Sequence, residues 1–210
     1  MKKKRLLLLC AFLTAAMPVI VSAQEVTERV TKNDFKVTLL SLGSGSSRFT
    51  YERAFTPRSS AEVTVGIIGW GFDIMNGANP RGVLFKMAVK YNVIPQKSAK
   101  QSWLAGFYVK PELVVADYDY ETDKVVDGAI IAGGAKSVAY RRVAHTTQFA
   151  LLAEGGYQLV LWKWFVFDVY AGLGPSFGTG NLDNYYHSFM RYPKDSWLAF
   201  TAGFRVGVAF

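Results

Sequence analysis

From Leu198 onward every second position is apolar: Leu198, Phe200, Ala202, Phe204, Val206, Val208 and Phe210. The intervening residues, Ala199, Thr201, Gly203, Arg205, Gly207 and Ala209, are small or charged. A period of two sends successive side chains to opposite faces of a strand, so one face is apolar and the other is not. The same alternation sets Val83, Phe85, Met87, Val89 and Tyr91 against Lys86, Ala88, Lys90 and Asn92. It also sets Phe165, Phe167, Val169 and Ala171 against Asp168, Tyr170 and Gly172. Read along the whole chain, the pattern predicts eight strands near 35–42, 47–56, 60–71, 82–94, 103–116, 147–161, 163–177 and 197–210. Most of these reach the roughly 9–11 residues that a tilted membrane strand needs.

The connections alternate in length. Pro57-Arg58-Ser59, the segment 95–102 and Trp162-Lys163 are short, whereas 71–81, 117–146 and 178–196 are long and fall on the other side, with a brief turn over 43–46. Short turns at one end and long loops at the other are the habit of outer-membrane barrels. The expected fold is therefore all-β, an eight-stranded antiparallel transmembrane β-barrel with up-and-down meander topology. Trp103, Trp162 and Trp164 fall at the periplasmic strand ends and Trp70 and Trp197 at the external ends, where amphipathic rings prefer the headgroup level. Pro111 interrupts the fifth strand and lacks a ladder donor, which predicts a bulge there. A water-soluble antiparallel sandwich would show the same alternation.

The inward positions of such a barrel sort by charge. Lys36, Lys86, Lys90, Lys110 and Arg205 stand against Glu52, Glu62, Glu112, Glu154 and Asp168, five cations matched by five carboxylates, with Tyr108 and Tyr170 among them. In a narrow barrel this predicts a packed, mutually neutralised lumen and not a water-filled pore.

The first residues change the picture of the rest. Lys2-Lys3-Lys4-Arg5, an apolar run from Leu6 to Ile20, and Val21-Ser22-Ala23 have the three regions of a signal peptide. We expect 1–23 to be removed, 24–34 to be a short periplasmic segment and 35–210 to form the barrel. Cys10 lies in the leader, so the exported chain has no disulfide or thiolate metal site to rely on. Of the formal charge of +8, the leader holds four basic and no acidic residues, leaving +4, too mild and scattered for nucleic acid.

The final stretch, with Phe204, Val206, Val208 and Phe210 alternating to a terminal aromatic, resembles the signal that the barrel-assembly machinery reads in outer-membrane proteins. Phe49-Thr50-Tyr51-Glu52-Arg53-Ala54-Phe55, Gly106-Phe107-Tyr108-Val109-Lys110-Pro111, Gly155-Gly156-Tyr157-Gln158 and Ala171-Gly172-Leu173-Gly174 resemble an uncharacterised family of small bacterial outer-membrane barrels of OmpX/OmpA-like architecture. The resemblance implies a fold, and brings no catalytic residues with it.

The expected function follows from the architecture: a structural or surface-interaction role, with recognition in the external loops, an outer-membrane location, and lipid and lipopolysaccharide as surroundings. Tyr118, Tyr120, Tyr140, Tyr185, Tyr186 and Tyr192 would supply contact surface. A rim enzyme modifying lipid A is the alternative, with His187 beside Ser188 and Asp183 or Asp195 nearby, or His145. A narrow channel or a conduit for an apolar ligand is another. Two separated histidines make a poor zinc site. Gly172-Leu173-Gly174-Pro175-Ser176-Phe177-Gly178 lacks the lysine of a phosphate loop. No cofactor or metal is expected, and no enzyme. Gly133-Gly134 reads as a loop tip, and Arg141-Arg142 beside Tyr140 as solvated loop charge.

Overall fold

The computed structural model describes residues 30–73, 79–95, 102–126, 130–131, 134–135, 138–179, 189–191 and 197–210. Eight long strands form one antiparallel sheet: β1 (Asn33–Thr38), β2 (Ser44–Thr56), β3 (Ser59–Asp73), β4 (Arg81–Pro95), β5 (Gly106–Val126), β6 (Val138–Leu161), β7 (Phe165–Gly178) and β8 (Leu198–Ala209). Each pairs with the next, and β1 pairs with β8 from Asp34 opposite Ala209 to Thr38 opposite Arg205. The fold is thus a closed eight-stranded up-and-down barrel. Closure is tightened at the seam, where Asn33 N donates to Phe210 O at 3.1 Å and Phe210 N to Asn33 O at 2.8 Å. We call this end of the barrel lower and the opposite end upper.

The alternation in the sequence becomes the two sides of the wall. Inward positions such as Lys36, Thr50, Glu52, Lys90, Tyr108, Lys110 and Arg205 are buried, while their neighbours Phe35, Tyr51, Val89, Tyr91 and Val109 are exposed. The lumen itself has three layers. Leu104, Ala54, Val166 and Ala209 pack at the lower end with Trp103 against them. The charged side chains occupy the middle. Ile68, Leu84, Val114, Ala116, Tyr118, Tyr120, Ala150, Leu152, Phe189 and Ala199 form an apolar upper layer.

Several sequence expectations are corrected. β1 ends at Thr38, because Leu39–Gly43 form a short helix, α1, in place of the expected strand continuation and of the turn at 43–46. The segment 117–146 is not a loop: β5 runs to Val126 and β6 starts at Val138, and Ile130–Ile131 pair with Gly134–Ala135 nearer the tip. Beyond Val115 the pattern inverts, with Asp117 and Asp119 outside and Tyr118 and Tyr120 inside. A search for apolar outer faces therefore stops too soon. Trp103 is not at a strand end facing outward. The stretch Ser102–Ala105 folds under the barrel, Trp103 N donates to Thr31 O at 3.2 Å, and Lys32 Nζ lies 4.2 Å from the Trp103 ring centre. Pro111 makes no bulge: pairing to β4 skips Val89 and Lys90 and resumes in the same register at Tyr91 opposite Val109. The β4–β5 irregularity lies lower, between Asn92 and Ile94. The run from Gly172 to Gly178 is strand, as the alternation over 163–177 predicts.

Two inward glycines decide how the lumen fills. A Cβ on Gly156 would come within 2.5 Å of the Tyr108 ring and of the Val169 carbonyl, and one on Gly203 within 2.7 Å of the Tyr170 hydroxyl. Each glycine is the hollow into which a tyrosine lies across the barrel. Gly156→Ala is expected to destabilise the barrel by about 1–3 kcal/mol, the usual cost of overpacking. Urea titration of the folded band on gels reads this, and Tyr108→Leu in the same chain should recover part of the loss.

Candidate functional site

The middle layer is the most concentrated chemistry among the described residues. Closing the sheet traps every second side chain inside, so whatever charge those positions carry must be neutralised there. Glu52 and Glu62 sit directly opposite one another on β2 and β3, a like-charged cross-strand pair that repels unless a cation intervenes. Lys36 of β1 supplies it, donating to Glu52 Oε2 at 2.6 Å and Glu62 Oε1 at 2.8 Å. Lys90 of β4 reaches Glu52 Oε1 at 2.5 Å. Glu62 is the hub: Lys110 and Arg205 also donate to it, the latter at 3.0 Å.

A second group surrounds β5 and β6. Lys86 donates to Glu112 Oε1 at 2.6 Å. Lys110 lies 3.1 Å from both Glu112 and Glu154. Arg205 closes the ring from β8, 3.3 Å from Asp168 and 3.6 Å from Glu154, with its guanidinium 4.1 Å from the Tyr170 ring centre. Tyr108 donates to Asp168 Oδ1 at 2.7 Å. All ten charged residues singled out from the sequence are buried here and take part in these pairs.

Sequence reasoning missed three members. Asp34 precedes the expected start of β1, yet its carboxylate accepts from Gln158 Nε2 at 2.7 Å and lies 3.5 Å from Lys36. Gln158 is neutral, so a search by charge passes over it, although its Oε1 accepts from Lys36 at 3.1 Å and Lys90 at 2.7 Å. Arg48 is buried on the inward face of β2 and was legible from parity, lying two and four residues before Thr50 and Glu52. Asp34 and Arg48 add one formal charge of each sign, so the formal charges of the buried set still balance.

The upper rim holds a smaller cluster on the outer face of β5 and β6. His145 stands opposite Asp119 and next to the pair Asp117–Thr147. Its Nδ1 is 2.8 Å from Asp119 Oδ1 and its Nε2 3.1 Å from Asp117 Oδ1, while Thr147 Oγ1 donates to Asp117 Oδ1 at 2.8 Å. Donation from both ring nitrogens requires the imidazolium. The hydrogen bond to Asp119, aided by the charge of Asp117, holds the His145 pKa above its ordinary value. With both nitrogens turned to carboxylates, the ring has none left to activate a hydroxyl. His187, Ser188, Asp183, Asp195, Tyr185, Tyr186 and Tyr192 lie outside the described residues, as do the side chains of Tyr140, Arg141 and Arg142.

No family model, curated protein or solved structure matches this chain. Its reading rests on its own geometry. Among the described residues no grouping of histidine, cysteine and carboxylates suits a metal ion.

Two expected outcomes follow from these contacts. Glu62→Ala leaves Lys36, Lys110 and Arg205 without their shared carboxylate and should cost about 3–5 kcal/mol, read as a lower urea midpoint. Arg53→Ala, on the exposed outer face, should stay within about 0.5 kcal/mol. For His145 the raised pKa means that the clamp is fully formed below the free histidine value and is lost as pH rises through the raised one. An NMR titration of its ring should show a midpoint above ~6.5 that drops in Asp119→Asn; a wild-type midpoint at or below the free value would rule the clamp out.

Proposed function

We propose that this chain is a small outer-membrane β-barrel with a plugged lumen, serving a structural or surface-interaction role through its upper hairpin and neighbouring loops. The observation that carries the proposal is the outer surface. From Phe107 to Val115, Phe149 to Leu161, Val83 to Ile94, Phe165 to Phe177 and Leu198 to Phe210, no outward position is charged. Val65, Val83, Val89, Leu151, Leu173 and Phe177 are each about half or more exposed. Water-soluble proteins do not leave an apolar belt of this extent uncovered, whereas lipid requires one. The nine residues on β5 and thirteen on β6 bracket the length of a tilted span.

The edges of the belt fit the same reading. At the upper edge β5 turns from Val115 to Asp117, Asp119 and Glu121, and β6 from Phe149 to Thr147 and His145. Trp197 there and Trp162 and Trp164 below are exposed, as rings at a headgroup layer would be. Trp162 and Lys163 keep positive φ values of 50° and 69° in their turn, a conformation that suits Asn or Gly better. An interfacial aromatic and a lysine beside lipid phosphates explain why such residues occupy it.

The neutral, buried ion network supports a scaffold over a pore, since an open channel would leave lumen charges hydrated. Among the described residues β5 and β6 continue above their neighbours, β4 pairing with β5 as far as Asp119 and the β7 side meeting β6 as far as Thr179 N, which donates to Thr147 O at 3.0 Å. That hairpin is the natural carrier of recognition. Lipopolysaccharide and the barrel-assembly machinery are the partners this role implies.

Outer-membrane fractions run unboiled and boiled in SDS test the reading. A heat-dependent mobility shift in that fraction is expected, together with no conductance steps in planar bilayers. A soluble periplasmic product without a shift would overturn it.

A further inference from the structure

The seam between β1 and β8 is short. β1 spans six residues and pairs with β8 from Asp34 to Thr38, whereas β7 and β8 pair from Leu198 opposite Pro175 to Val208 opposite Phe165. The chain has one cysteine, Cys10, so no disulfide within it can tie β1 to the rest of the wall. β1 carries Lys36 into the lumen. Among the side chains that meet Lys36 there is Gln158 of β6, a strand that borders β5 and β7 and not β1.

The Gln158 carboxamide is fully buried and touches charged groups at both of its polar atoms. Lys90 Nζ donates to Oε1 at 2.7 Å, and Lys36 Nζ to the same oxygen at 3.1 Å. Nε2 donates to Asp34 Oδ2 at 2.7 Å, and Lys36 Nζ lies 3.5 Å from that carboxylate oxygen. Lys36 is therefore close to both ends of the amide. Glu52 touches both lysines, with Oε2 2.6 Å from Lys36 and Oε1 2.5 Å from Lys90. Asp34 Oδ1 is buried with no hydrogen-bond partner among the described residues, although buried polar atoms ordinarily have one. Carboxylates alone would suffice to neutralise the lysines. An amide set among two lysines and two carboxylates has the parts of an acyl transfer: an amine, a proton acceptor for it, a cation on the carbonyl oxygen and a carboxyl group at the leaving nitrogen. Fixed at these distances, the amine and the acyl group meet without a diffusive step.

We propose that Lys36 and Gln158 join in an amide cross-link between their side chains, which ties β1 to β6 through the lumen. Glu52 takes one proton from the Lys36 ammonium, and rotation about Cε–Nζ turns the freed lone pair to Gln158 Cδ. The Nζ–Cδ bond forms as the carbonyl π pair moves onto Oε1, where Lys90 stabilises the negative charge. Asp34 takes the surplus proton from Nζ and hands it to Nε2, the Cδ–Nε2 bond breaks, the carbonyl re-forms, and ammonia leaves. The products are a secondary amide, ammonia and a protonated Glu52, so no oxidant or cofactor is consumed. One cation and one carboxylate charge disappear together, which keeps the formal charges of the buried set balanced. Asp34 and Lys36 come from β1, Glu52 from β2, Lys90 from β4 and Gln158 from β6, so the bond forms only after these strands have come together around the lumen.

The test takes the whole chain unfolded from inclusion bodies, refolds it in detergent micelles to a β-sheet circular dichroism spectrum, and maps protease digests by fragment mass spectrometry. The expected result is a branched peptide joining Lys36 to Gln158, lighter by one ammonia than its two arms together. It should accumulate after refolding and be absent from chain held in urea. Glu52→Gln, which keeps the shape of the side chain and removes the proton acceptor, should lower the yield of this peptide about a hundredfold or more. A folded wild-type sample without the branched peptide overturns the proposal. A branch from Lys90 to Gln158 overturns Lys36 as the nucleophile, and an undiminished branch in folded Glu52→Gln overturns Glu52 as the proton acceptor. If Glu52→Gln does not fold, the wild-type peptide, present after refolding and absent in urea, decides. The cross-link depends on closure of the barrel and not on its location, so its failure leaves the membrane reading standing.

Discussion

Two carboxylates face one another across β2 and β3 inside a closed wall, and one lysine from β1 holds them together. Glu52 and Glu62 are adjacent in register, and Lys36 lies within 2.6 and 2.8 Å of them. Everything else in the lumen is arranged around this contact. Lys36 and Lys90 reach the pair from β1 and β4, the neighbours of β2 and β3, and closing the wall shuts these contacts away from water. Arg205, arriving on β8 from the other side of the seam, reaches the same Glu62. The seam is therefore secured by few backbone pairs and by cations from both of its strands converging on one carboxylate.

The same network sets register. A slip of one residue between neighbours exchanges inward for outward side chains, which would carry carboxylates to the outer face and phenylalanines into the lumen. Burying an unpaired ion costs several kcal/mol, so misregistered closures are penalised at many positions at once. This is a constraint on uniqueness more than a source of net stability, since desolvation offsets much of what the ion pairs gain. Stability must come mainly from the backbone ladders and from whatever solvates the outer belt.

Much of this was legible from parity alone. Alternating side chains gave the strand count and the face of each charge, because closure leaves no third environment for them. What parity missed, it missed for physical reasons. Asp34 lies before the apolar alternation starts, and Gln158 carries no charge. α1 interrupts β1 with Leu39 and Leu40, residues that suit strand and helix alike. The upward continuation of β5 and β6 was hidden because the outer face turns polar beyond Val115 and before Phe149: Asp117 and His145 read as loop although their backbones are paired. Trp103 was assigned to an interface by its residue type, when Leu104 and Lys32 hold it under the lower mouth.

The upper hairpin is rooted from both faces, and this bears on what it can do. On the inner face Tyr118 and Tyr120, with ring centres 6.1 Å apart, belong to the apolar layer of the lumen. On the outer face His145 ties Asp117 to Asp119, and Asn79 Nδ2 donates to Glu121 Oε2 at 2.9 Å. Up to that height the hairpin is part of the wall; above it β5 and β6 have only each other among the described residues. The paired strands above that height thus stand on a base built into the wall.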